Sequence, residues 1–151
     1  MGSNPTLTNM TIANNTSGEG AIYIKSSFPK LNNVTIANNT AGDGGGMSLY
    51  DSNPILTHVT ISNNTAEYYG GAMWLDYSNP TLTHVTISSN TAGYAGGGMR
   101  LSNSNPILTN VIISNNTAEY YGGGMWVDFS NPILNYVTIS NNIAEYYGGG
   151  M

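Results

Sequence analysis

The sequence predicts an all-β fold, a parallel β-solenoid. Three observations lead there: a unit that recurs along the chain, alternation at period two inside that unit, and no stretch with a helical period in a chain rich in Asn, Gly and Thr. The unit is clearest at residues 52–77, SNPILTHVTISNNTAEYYGGAMWLDY. Ser52, Ser78, Ser104 and Ser130 open successive copies 26 residues apart, and earlier copies open at Ser3 and Ser27, with spacings of 24 and 25. A fixed period of this size marks a solenoid, a propeller or an array. The length changes fall in one place, between the Asn-Asn pair and the Gly run, at Ser17 to Gly20 and Ala41 to Gly44. Insertions in a repeat map to loops, so this segment is expected to be a loop on one face, while the rest keeps a strict strand register.

Each strand follows from its columns. In the Met73-Trp74-Leu75-Asp76 segment the first column is Ile22, Met47, Met73, Met99 and Met125, and the third is Ile24, Leu49, Leu75, Leu101 and Val127. Both are always apolar, whereas the second column (Tyr23, Ser48, Trp74, Arg100, Trp126) and the fourth (Lys25, Tyr50, Asp76, Ser102, Asp128) are mixed. That is a strand with one face buried. The VTIS segment places Val59 and Ile61 inward and Thr60 and Ser62 outward. Leu7, Leu31, Leu56, Leu82, Leu108 and Leu134 point inward from a third short strand, which begins at the Pro of each copy, a residue suited to a strand start or corner. Three strands per unit and one unit per turn give about six coils of 24–26 residues, stacked at about 4.8 Å per coil, with every coil covering its neighbour's apolar face.

Composition limits the function. At 151 residues the chain is one domain, spanning 3–151, with Met1-Gly2 read as an added start. Because the chain stops at Met151 inside a repeat, it is expected to be a piece of a longer array or an idealised scaffold. With no cysteine, neither disulfides nor a thiolate metal site hold it together. Lys25, Lys30 and Arg100 are the only cations and the net charge is -5, which argues against nucleic-acid binding. No apolar run approaches the length of a membrane span, and no signal-peptide pattern opens the sequence.

The run NPILTNVIISNNTA at 105–118, followed by GGGM at 122–125 and repeated with variations in the other copies, resembles the right-handed parallel β-helix repeats of the pectate-lyase-like superfamily. It is most similar to the repeats of polymorphic outer-membrane and other bacterial surface proteins. The resemblance covers nearly the whole chain and implies a right-handed three-sheet β-helix of a secreted or cell-surface protein. It implies little about activity, because such repeats serve adhesins, autotransporter passengers, lyases and hydrolases alike.

The second Asn of each pair recurs in every copy: Asn15, Asn39, Asn64, Asn90, Asn116 and Asn142. Asn tolerates a left-handed corner, and its amide can bond the equivalent amide one coil away, so an Asn ladder is expected. The Asn-Xaa-Thr sequons are a by-product of this repeat. The Gly runs read as corners rather than as a phosphate cradle, which would need a following helix.

For catalysis the sequence offers little, and no catalytic residue, cofactor or metal site is assigned. His58 and His84 are the only histidines, in the same column of adjacent coils, without a carboxylate column beside them. The resemblance to pectate lyases implies an Asp cluster for calcium and an Arg base on one outer face. Arg100 stands on such a face, but Trp74 and Trp126 flank it, and Asp76 and Asp128 are displaced by two residues. An ice-binding reading of the outward Thr11, Thr35, Thr60, Thr86 and Thr138 is weakened by Ile112 in that column.

The candidate binding surface is aromatic. Tyr23, Trp74, Arg100 and Trp126 share the outward column, and Tyr68, Tyr94, Tyr120 and Tyr146 come from the adjacent loops. Aromatic rows on a rigid sheet stack sugar rings or pack a partner protein; alternatively they shield the loop and each other. Two functions are therefore carried forward: a structural solenoid serving as spacer, adhesive stalk or self-assembling scaffold, and a carbohydrate-binding or polysaccharide-degrading β-helix. The expected partners are further copies of the chain, met through end coils without caps, and glycans.

Overall fold

The computed structural model describes residues 3–151; Met1-Gly2, read above as an added start, lie outside the described residues. The chain winds as a parallel β-solenoid of five complete coils and a sixth that ends at Met151. One five-stranded sheet stacks Ile22–Lys25, Met47–Tyr50, Met73–Asp76, Met99–Ser102 and Met125–Asp128, Met over Met and Leu over Leu through the middle coils, with Ile22 and Ile24 in the first strand and Val127 in the last. The Leu and Val-Ile segments join in one ten-stranded sheet. In the first two coils they form continuous strands, Thr6–Ala13 and Lys30–Ala37, and from the third coil they divide into pairs such as Ile55–Thr57 and Thr60–Ser62.

A further ladder has only two residues per coil: Thr40–Ala41, Thr65–Ala66, Thr91–Ala92, Thr117–Ala118 and Ile143–Ala144. It adds to the three strands expected, and two residues are too few to show alternation in a sequence. The variable segment is a loop, yet it stacks as well. Tyr69, Ala95, Tyr121 and Tyr147 bridge in parallel from coil to coil, and Glu19 bridges Asp43 below them.

The core is the predicted one. Leu56, Val59, Ile61, Met73 and Leu75 are at most 1% exposed, as are their equivalents through the middle coils. Complete burial of side chains of this size is worth about 1.5–3 kcal/mol each, and it repeats at every coil. The corners rest on left-handed residues. The first Asn of each pair and its Ser89 equivalent have φ from 54° to 59°, while the second Asn turns inward. The pair read as one corner thus divides into a turning residue and a buried one. Gly70 and its equivalents supply another corner: at φ 64° a Cβ on Gly70 would collide with the Met73 carbonyl.

Candidate functional site

Three polar ladders run along the axis. The Asn ladder is buried, with Asn39, Asn64, Asn90 and Asn116 at most 1% exposed. Each Nδ2 donates to the next coil's Oδ1 at 2.9–3.0 Å, and the backbone N–H of the same Asn donates to that Oδ1 at 2.9–3.0 Å. From Asn39 onward, Nδ2 also donates to a carbonyl of the preceding coil, as Asn90 does to Ile61 at 3.0 Å. Buried amides are thereby satisfied, which removes the penalty for placing them among apolar side chains.

Sequence reasoning used the opening Ser only as a landmark and missed its role. Ser52, Ser78 and Ser104 are fully buried. Each backbone N–H donates to the next coil's Ser Oγ, and each Oγ donates to the carbonyl two residues back. The invariance of this Ser among otherwise mixed neighbours was the available signal. A third, exposed ladder runs the opposite way. The N–H of Phe28, Asn79, Asn105 and Asn131 donates back to the Asn Oδ1 of the preceding coil at 2.6 Å.

The aromatic face is partly brought together. Trp126 is its centre, with ring centroids 5.0 Å from Tyr121, 5.9 Å from Tyr94 and 6.3 Å from Tyr69. Tyr120 joins Tyr94 at 5.1 Å and stacks on Tyr146 at 5.2 Å with the rings 7° from parallel. Tyr121 stacks on Tyr147 at 5.8 Å. Ala95, small in a column of tyrosines, is buried between Tyr69 and Tyr121. Tyr23 and Tyr68, each about half exposed, make no ring contact among the described residues, and neither does Trp74.

Arg100 lies under the cluster rather than on its open side, its side chain only 11% exposed. The guanidinium sits 4.5 Å from the Trp126 centroid and 5.8 Å from that of Tyr69. It pairs with Asp128 at 3.1 Å and donates to the Leu101 carbonyl. A partly desolvated cation on an indole face is worth about 1–2 kcal/mol, so Arg100 fixes the tilt of Trp126. Ser48, in the same outward column, is buried beneath the loop, where it donates to the Asp43 carbonyl. The loops therefore half-cover this sheet, and its aromatics both shield the loop and reach solvent.

Carboxylates line the loop edge. Burial, with Asp43 nearby, raises the Glu19 pKa, and burial raises that of Asp43 despite the hydrogen bond Asp43 accepts from the Tyr69 N–H at 3.1 Å. Tyr68 and Tyr120 are raised chiefly by donating to Glu67 and Glu119, whose negative charge favours the neutral phenol. His58 and His84 stack at 5.1 Å, 10° from parallel, at φ 52° and 53°. Their column is an exposed left-handed turn. Among the described residues no group of three His, Cys, Asp or Glu is placed to hold a metal ion.

Comparison with family models matches residues 1–151 to the right-handed beta helix region. The chain belongs to this right-handed β-helix family. No curated protein and no solved structure matches it. The hand is the one parallel crossover connections adopt almost without exception. Right-handed β-helix proteins include enzymes and non-enzymes, so membership assigns no reaction.

Proposed function

We propose that this β-helix is a structural repeat module, a rigid spacer or adhesive stalk of a secreted or cell-surface bacterial protein, and that it carries no catalytic site. The observation behind this reading is the buried Asn ladder, continuous from Asn15 to Asn142. It fixes the rise of every coil and specifies no ligand. A module of this kind sets distance. Duplicating residues 78–103, one whole coil, should lengthen the molecule by about 4.8 Å in small-angle scattering without lowering its melting temperature. A duplication that fails to fold, or turnover of any polysaccharide in a substrate panel, would overturn the reading.

A second reading has its own support. Trp126, Tyr94, Tyr120 and Tyr146 form a contiguous aromatic platform held by Arg100, the type of surface on which sugar rings stack. Tyr23, Tyr68 and Trp74 lie outside its ring contacts. If the platform binds a neutral polysaccharide, Trp126→Ala should abolish retention in an affinity gel, and Trp74→Ala should reduce it less. Equal retention by both variants and the parent would exclude this face.

A further inference from the structure

The tyrosine column of the loop face keeps one backbone register but not one ring arrangement. Tyr68, Tyr94, Tyr120 and Tyr146 succeed one another at the same repeat position. The Tyr94 N–H donates to the Tyr68 carbonyl at 2.8 Å, the Tyr120 N–H to that of Tyr94 at 2.9 Å and the Tyr146 N–H to that of Tyr120 at 3.2 Å. The rings differ from rung to rung. Those of Tyr120 and Tyr146 lie 5.2 Å apart and 7° from parallel. Those of Tyr94 and Tyr120 are as close, at 5.1 Å, but tilted by 35°. Tyr68 and Tyr94 make no ring contact with each other among the described residues. In the next column Tyr121 and Tyr147 are 10° from parallel and 5.8 Å apart.

Two parallel rings whose centres are nearer than the van der Waals width of a ring cannot lie side by side, so Tyr120 and Tyr146 overlap face to face with an offset. That is the arrangement in which two phenoxyl radicals combine. The new bond joins a ring carbon next to each hydroxyl and forms perpendicular to both ring planes. Groups already held near this geometry react without the entropic cost of being brought together. Tyr120 also has a proton acceptor, because its hydroxyl donates to Glu119. Tyr68 has the same kind of acceptor in Glu67 but no stacked ring, so it separates the two requirements. The chain has no cysteine to trap the radicals or consume the oxidant.

We propose that the stacked pair Tyr120 and Tyr146 is a modification site, at which hydrogen peroxide, acting through a haem peroxidase, joins the two rings as dityrosine and staples one coil to the next. Each phenol gives up one electron and its hydroxyl proton, that of Tyr120 passing to Glu119. The two radicals form one carbon–carbon bond. The hydrogen on each joined carbon then moves to the adjacent oxygen as a proton, which restores both phenols. Hydrogen peroxide accepts the two electrons and two protons and leaves as two waters. The cross-link ties residues 26 apart in the sequence, so it restrains the unfolded chain as a disulfide does. The inference is independent of whether the module acts as a spacer or binds glycans, because it rests on how two rings stack within the chain.

The test treats dilute protein with a haem peroxidase and hydrogen peroxide, dilution suppressing coupling between molecules. The intact monomer should lose the mass of two hydrogens, gain dityrosine fluorescence and melt above the untreated protein. Tyr120→Phe and Tyr146→Phe keep the stacked ring without its hydroxyl, so the fold is retained and each variant should lose most of the product. Tyr68→Phe should retain it. A parent that gains no dityrosine, or gains it only in covalent dimers, overturns the proposal. Full yield in Tyr120→Phe does the same. So does an equal loss in Tyr68→Phe and Tyr120→Phe, since the stacking of one pair would then decide nothing.

Discussion

The interior columns and the loop face of this solenoid follow opposite rules. Inside, each position repeats almost unchanged: Leu31 to Leu108, Ile36 to Ile113, Asn39 to Asn116 and Ser52 to Ser104 are all buried. On the loop face one column reads Glu19, Asp43, Tyr69, Ala95, Tyr121 and Tyr147, changing character along the axis. An inward residue has the same residue above and below it, so a change must fit two neighbours at once. A loop residue needs only to stack on whatever precedes it, as Tyr69 does by donating its N–H to Asp43. Stability therefore resides in the repeated columns, and any individuality lies on the varied face.

Substitutions can test that division. The largest loss is expected from Val59→Asp, which buries a charge with no partner; chemical denaturation should show more than about 4 kcal/mol lost, or no folded state. Asn90→Ala comes next. It takes the acceptor from two Asn64 donors and removes the amide that donates to the Ile61 and Ser88 carbonyls, for a loss of about 3–5 kcal/mol. The division of roles fails if this variant melts with the parent. Ser78→Ala leaves the Ser52 N–H without its acceptor and should cost about 1–3 kcal/mol.

On the varied face the effects shrink and some change sign. Tyr136 holds φ 52° in an exposed turn where other coils place Asn or His. Tyr136→Asn should raise stability by up to about 1 kcal/mol, read as a higher melting temperature. Asp43→Asn keeps an oxygen for the Tyr69 N–H and removes a charge that burial disfavours. The folded Asp43 holds its proton more tightly than the unfolded chain does. Wild-type stability from this group is therefore present below the ordinary carboxylate pKa and is lost as pH rises through the raised folded value. Asp43→Asn should melt slightly above the parent at neutral pH and together with it on acidification.

The sequence by itself determined the coil, the strands and the inward columns. Period and alternation are local properties, and in a stack every coil copies the contacts of the last, so Leu56, Val59, Ile61, Met73 and Leu75 could be placed without coordinates. The Asn ladder was legible for the same reason. Tertiary structure alone decided what alternation does not encode. Ser52 and Ser78 proved to be buried hydrogen-bonding rungs because a small hydroxyl carries no apolar signature. The pair Asn63-Asn64 divided into a left-handed turn and a buried amide because backbone φ is invisible in residue type. Arg100 and Trp126 share an outward column with Tyr23 and Trp74, yet only Trp126 gathers the tyrosines, with Arg100 beneath it. That choice depends on how side chains from neighbouring coils tilt over Ala95, and such tilts follow from packing in three dimensions rather than from position in the repeat.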